Sequence, residues 1–173
     1  LNLKSFLAEC AEENAIVVKQ DNRSWTLDAG DGLDACWIFG DPILLRRLIG
    51  NLVLNAADHS PPRGGITLGA RLRGKDLSFV EIYVRDEGQG IPENRREAIY
   101  RKYDTSAAST KNVGLGLAFC KLVAERHSAR LELLDSAGPG TTFALVLPVS
   151  AKPVAEENPQ SPESDERSNC PTP

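Results

Sequence analysis

The 173-residue chain is 41% hydrophobic and 25% charged, ordinary values for a globular domain, and its net charge is −4. That balance gives no overall electrostatic case for nucleic acid or an anionic membrane. No apolar run approaches the roughly 18–20 residues of a membrane span.

Leu3, Phe6, Leu7 and Cys10 recur at helical spacing, which predicts an amphipathic helix over 2–14. Ile16-Val-Val-Lys reads as a short strand, Asp28-Ala-Gly-Asp-Gly as a turn, and 33–39 as a further strand. Asp41 is a good N-cap and Pro42 suits a first helical position. A long helix is therefore expected over 43–57, with apolar residues at 44, 45, 48, 49, 52 and 53. Alternation over 66–72 and 77–85, joined at Gly74-Lys-Asp, predicts a hairpin. A short helix over 92–101 is followed by a polar loop over 103–113. The segment 115–126 reads as a helix, and 130–135 with 141–148 as a last hairpin. From Ala151 Pro, Ser, Glu and Asn dominate, too polar to offset chain entropy, so 1–150 is expected to fold and 151–173 to be a disordered tail or linker.

The cysteines at 10, 36, 120 and 170 form no C-x-x-C pair, and the chain has two histidines. Cys10, Cys36 and Cys120, among apolar neighbours, fit small core residues, and scattered thiols fit a reducing cytoplasm rather than a zinc site. The start, Leu1-Asn-Leu-Lys, has neither initiator Met nor signal-peptide profile, and the chain reads as a piece of a longer parent that a membrane could anchor.

Three stretches carry chemistry. Asp86-Glu-Gly88-Gln-Gly90-Ile91 follows a strand, which delivers the carboxylate at a sheet end. Two glycines let backbone approach a flat ligand, and a carboxylate accepts a hydrogen bond from an exocyclic amine such as that of adenine. Alone, the same pattern describes a glycine-rich turn capped by Asp. Gly114-Leu115-Gly116-Leu117 leads into a helix whose first amides and dipole suit phosphate, although glycines also simply connect elements. Asn51 and Asn55 lie four apart on one helix face, where Asn is mildly unfavourable. An amide oxygen is a hard ligand for Mg²⁺; a solvated polar face is the plainer account. His59 follows one turn on, placed to stack on a base or to cap the helix end. His127 closes its own helix in the same way, and nothing nearby suggests a hydrolase triad.

Together these motifs resemble the ATP-binding catalytic domain of bacterial sensor histidine kinases, in the superfamily shared with type II topoisomerases, Hsp90 and MutL. Residues 51–59 resemble the N box, 86–91 the G1 box, Ile99-Tyr-Arg-Lys-Tyr103 an F box and 114–117 the G2 box. Residues 138–148 resemble the final strand. The resemblance spans about Leu3 to Pro148.

It implies an α/β (α+β) two-layer sandwich, a mixed, mostly antiparallel sheet with helices on one face. It implies ATP and Mg²⁺ as ligands, with Asp86 reading adenine, Asn55 holding Mg²⁺ beside Asn51, and His59 near the base. Gly88, Gly90, Ile91, Lys102, Gly114, Leu115, Gly116 and Leu117 complete the implied site. The implied reaction is transfer of the γ-phosphoryl group to a histidine. No segment here resembles the acceptor, so the partner would be a histidine-bearing dimerisation domain of the same parent, then a response regulator. This fragment would be a monomer and the parent a homodimer. Asp58 departs from the family, which often has a basic residue there; Asn112 replaces a glycine, the lid is short, and His127-Ser-Ala replaces His-Gly-Gly. These departures keep two other readings open: a degenerate docking module and an anti-sigma serine kinase.

Overall fold

A computed structural model describes residues 1–20, 22–96, 99, 115–134 and 139–152. In chain order the elements are α1 (Leu3–Lys19), β1 (Ser24–Ala29), a 3-10 turn (Leu33–Ala35), β2 (Trp37–Ile38), α2 (Pro42–His59), β3 (Gly65–Arg73) and β4 (Phe79–Asp86). A second 3-10 turn (Glu93–Arg95), α3 (Gly116–Arg126), β5 (Arg130–Leu134) and β6 (Thr142–Ser150) follow. The polar loop, residues 97, 98, 100 and 101 of the expected short helix, residues 135–138 and most of the tail lie outside the described residues; the described part of that short helix is the 3-10 turn.

Among the described residues six strands form one sheet, running β1-β3-β4-β6-β2, with β5 also paired to β6. Only β1 and β3 pair in parallel; the other pairings are antiparallel. This is the mixed, mostly antiparallel sheet expected. Alternation separates its faces. Ile66, Leu68, Ala70, Val80, Ile82, Val84, Phe143, Leu145 and Leu147 are buried in one cluster with Leu3, Leu7, Leu45, Leu48, Leu52 and Val123 of the helices. Burial of such side chains at about 25 cal/mol per Å² is the main stabilising term. The opposite face is polar. There Glu81, 2% exposed, pairs with Arg71 at 2.6 Å and Arg73 at 3.3 Å, and Arg73 reaches Glu132 at 2.7 Å.

Local chemistry explains the helix that carries most of the site. Asp41 Oδ1 accepts from the amides of Ile43 and Leu44 at 2.8 and 3.1 Å, and Pro42 occupies the first turn. The helix stops at Ser60, ahead of Pro61. His127 ties its start to the end of α3: Nε2 accepts from the Asp41 amide at 3.0 Å, and Nδ1–H donates to the Val123 carbonyl at 2.7 Å.

Three expectations are corrected. Residues 16–19 belong to α1 rather than to a strand. As a strand, Ile16 and Val18 would share a face; instead Ile16 is 75% exposed and Val18 fully buried, at helical spacing from Ala11 and Asn14. Of the turn placed over 28–32, Asp28 and Ala29 instead end β1, an edge strand whose side chains are largely exposed, which hides it from a burial pattern, and the turn itself lies at Asp31–Gly32. The strand placed over 33–39 begins instead as a 3-10 turn entered through Gly32 at φ 79°, which buries Leu33 and Cys36 three apart and leaves only Trp37–Ile38 to pair. Cys10, Cys36 and Cys120 are buried free thiols; burial pushes Cys10 and Cys120 up to about 12.

Candidate nucleotide site

Asp86 is the last residue of β4. It follows Val80, Ile82 and Val84 on the helix-covered face, so alternation turns a carboxylate into the core at the sheet's end. It is 2% exposed. Oδ1 accepts from the amides of Gly88 at 2.7 Å and Thr141 at 3.2 Å, and the Asp86 amide donates to the Thr141 carbonyl at 2.9 Å. Burial raises the Asp86 carboxyl above the ordinary carboxylate range, and the Gly88 and Thr141 hydrogen bonds and the nearby His59 only partly oppose this.

The glycines around it are sterically required. A Cβ on Gly88 would lie 2.6 Å from the His59 carbonyl oxygen and 2.8 Å from Asp86 Oδ1. Gly140, at φ 113°, has its missing side chain directed at the Asp86 carbonyl oxygen, with no room for a methyl. The C-terminal end of α2 therefore lies against the loop that follows β4.

The other end of the same helix face meets α3. Asn51 is half-buried and its Nδ2 donates to the Arg47 carbonyl at 2.7 Å. Its Oδ1 faces Gly116, where a Cβ would stand 3.2 Å away. Asn55, also half-buried, lies one turn further along, and its side chain makes no hydrogen bond among the described residues; His59 is exposed, a further turn on. At the start of α3, Leu115 supplies no side-chain cap to the first amides. The three motifs thus converge through α2, with Asn51 against Gly116 and His59 against Gly88.

A cavity of about 260 Å³ opens beside the loop after β4, lined by Gln89, Gly90, Ile91 and Pro92 with Leu133, Gly140 and Thr141. A groove of about 590 Å³ runs between α2 and α3, past Arg47, Asn51, Leu115, Gly116 and Phe119. Asp86 and Asn55 line neither, although Asp86 is bonded to the first through Thr141. Leu117 packs against the core. Lys102, Gly114, Asn112 and Tyr103 lie outside the described residues. Gly140 and Thr141 are the site residues that sequence reasoning missed as such; the Gly-Pro-Gly-Thr-Thr run before β6 is the signal that marks them. Among the described residues no cluster of three His, Cys, Asp or Glu forms a metal cage, and no helix is long and apolar enough to cross a membrane.

Comparison with known proteins agrees with this geometry. Residues 40–151 match the family described as histidine kinase-, DNA gyrase B-, and HSP90-like ATPase. The chain is 37% identical over 134 residues to the signal transduction histidine-protein kinase/phosphatase MprB of Mycolicibacterium paratuberculosis, covering 74% of this chain and 25% of that protein. It is 31% identical over 152 residues to the sensor-like histidine kinase SenX3 of Mycolicibacterium smegmatis, covering 86% of this chain and 38% of that protein. A solved structure of the mycobacterial sensor histidine kinase MprB superposes with a TM-score of 0.74 at 26% identity, over 88% of this chain and 99% of that one. The chain thus spans between a quarter and two fifths of the length of these curated relatives. It belongs to the histidine kinase-, DNA gyrase B-, and HSP90-like ATPase family, as a catalytic ATPase domain of the sensor histidine kinase kind.

Proposed function

We propose that this domain binds ATP with Mg²⁺ and presents the γ-phosphoryl group to a histidine on a dimerisation domain of its parent protein, from which a response regulator takes it. The observation that carries this reading is the meeting of both glycine motifs on one face of α2, next to a buried carboxylate at a strand end. Asp86 accepts a hydrogen bond from the adenine amine, with Gly88, Gly90 and Ile91 leaving room for the flat ring and His59 beside it. The first amides of α3, which the Leu115 side chain does not cap, hold the phosphates with Gly114 and Gly116, and Lys102 adds positive charge.

The donor set fits Mg²⁺. Asn55 offers a hard oxygen that no described neighbour uses, and Mg²⁺ takes few protein ligands beside phosphate and water. Bound there, the ion supplies charge neutralisation of the polyphosphate. The chain's own contribution is positioning: a fixed base at Asp86 and fixed phosphates at α3 set the direction in which the γ-phosphate points.

The folding unit in this reading is 1–150, with 151–173 a tail or linker. The parent is a homodimer facing the cytoplasm and anchored in a membrane, and the isolated domain is a monomer. Incubation with γ-labelled ATP and Mg²⁺ tests the function. The chain alone takes no label, and adding the parent's dimerisation domain produces acid-labile phosphohistidine on that domain. Absence of ATP binding by calorimetry with Mg²⁺ present overturns the reading, and acid-stable label on a partner points to serine as the acceptor.

A further inference from the structure

We propose that Glu87 is a positioning residue for the base-reading carboxylate, holding the loop after β4 in the form that aims Asp86. The inference rests on the nucleotide site above. The β3–β4 ladder ends at the pair Ile66–Asp86. The next pair in register is Gly65 with Glu87, and there a side chain takes over from the ladder: the Gly65 amide donates to Glu87 Oε2 at 2.8 Å. Gly65 has no side chain to keep the carboxylate away, and a Cβ there would lie 3.2 Å from both Glu87 Cδ and Oε1. The anchor is itself fixed. Gly65 pairs with Ser24 of β1, the Ser24 amide donates to the Gly64 carbonyl at 3.2 Å, and Arg23 reaches the Ser60 carbonyl at 3.3 Å. Glu87 therefore ties the loop after β4 to the connection that follows α2.

Residue 87 sits between the two groups that set the carboxylate's direction. Asp86 Oδ1 accepts from the Gly88 amide at 2.7 Å, so the aim of Asp86 depends on how the peptide between 87 and 88 is turned. Gly88 in turn is pressed against the His59 carbonyl. Past the end of the ladder, glycines at 88 and 90 leave the backbone free to adopt other forms. The Glu87–Gly65 bond removes that freedom at the residue where it matters for Asp86. Glu87 is exposed, so water competes for the Gly65 amide and the effect is graded rather than all-or-none. The contact needs an acceptor oxygen, not a charge, and a Gln oxygen in the same place accepts from Gly65 too.

Calorimetry of ADP and of inosine diphosphate (IDP), both with Mg²⁺, tests this on the full chain and its Glu87→Gln and Glu87→Ala variants. Inosine carries an oxygen where adenosine carries the amine, so the ADP-to-IDP affinity ratio reads how well Asp86 is aimed. Wild type prefers ADP. Glu87→Ala loses about fivefold in ADP affinity, equivalent to about 1 kcal/mol, and little in IDP affinity, so its ratio falls about fivefold. Glu87→Gln keeps the ratio within about twofold of wild type. Amide hydrogen exchange without nucleotide gives a second reading. Gly88 loses protection in Glu87→Ala and keeps it in Glu87→Gln, while Leu68 in the middle of β3 is unchanged in both. A Glu87→Ala ratio within about twofold of wild type, a Glu87→Gln ratio as low as that of Glu87→Ala, or an equal loss of protection at Leu68 overturns the proposal. Equal binding of ADP and IDP by the wild type, or binding of neither, overturns the nucleotide site itself, and the proposal with it.

Discussion

Replacing Asp86 by Asn separates what the carboxylate does for the fold from what it does for a ligand. The Asn oxygen can still accept from the Gly88 and Thr141 amides, so the bracket around the β4 end persists. Those two bonds lose their charge assistance, falling from about 1.5–3 to about 0.5–1.5 kcal/mol each. Against that, the substitution removes a buried charge whose desolvation costs several kcal/mol. The upward shift of the Asp86 carboxyl says that desolvation outweighs the hydrogen bonds. A native carboxyl shifted upward holds its proton more strongly than the unfolded one. Stability therefore falls as pH climbs from the ordinary value, near 3.9, through the raised native value, and the full penalty is present above it. Asp86→Asn removes that penalty. Near neutral pH it is expected to be more stable than wild type and to melt higher, with the difference vanishing near pH 4. Nucleotide affinity moves the opposite way. The amide nitrogen meets the adenine amine donor to donor, and loss of one charge-assisted bond weakens ATP·Mg²⁺ binding about 10- to 150-fold. Thermal melts across this pH range, with calorimetry on the same samples, check both halves. A variant that melts several degrees below wild type near neutral pH and still binds ATP normally refutes the reasoning, because the carboxylate would then be a structural bracket alone.

Three further substitutions test the framework. Gly140→Ala combines φ 113° with overlap on the Asp86 carbonyl oxygen, and is expected to cost about 3 kcal/mol or more in urea unfolding. Gly32→Ala, at φ 79° with only Leu72 Cδ1 nearby at 3.5 Å, serves as its control and costs about 1–2 kcal/mol. His127→Ala removes the acceptor of the Asp41 amide and the donor to the Val123 carbonyl, and should cost about 1–2 kcal/mol. An unchanged urea midpoint would mean that water replaces both bonds.

The legible parts of the sequence were those where one period governed a whole element. The buried stripe of α2 at 45, 48, 49, 52 and 53, its Asp41-Pro42 start and the β3–β4 hairpin all follow directly from pattern and capping. The N-terminal third resisted for physical reasons. Three consecutive β-branched residues at 16–18 suit a strand by propensity, but packing of Val18 on the core kept them helical. The edge strand β1 shows no clean alternation because little of it is buried. In the site, the carboxylate, the two helix amides and the glycines were recognisable by residue type and order. Thr141 was not, because its contribution is a backbone amide and carbonyl, and backbone groups carry no side-chain signature.

Several positions that break local rules lie at the ends of α2 and β4. Asn51 and Asn55 interrupt a helix otherwise packed with leucine, Asp86 puts a charge where alternation calls for an apolar residue, and Gly90 and Gly140 occupy left-handed backbone. Each carries a local cost that its neighbours do not need for folding, since the Leu, Ile and Val cluster beneath them is continuous without them. Other such positions have local partners of their own: Asn14 donates to the Cys10 carbonyl, and buried Glu81 pairs with Arg71 and Arg73. Asn55 and the positive-φ Gly90 have no packing partner among the described residues that accounts for them, which is what a fold that holds a ligand site is expected to show.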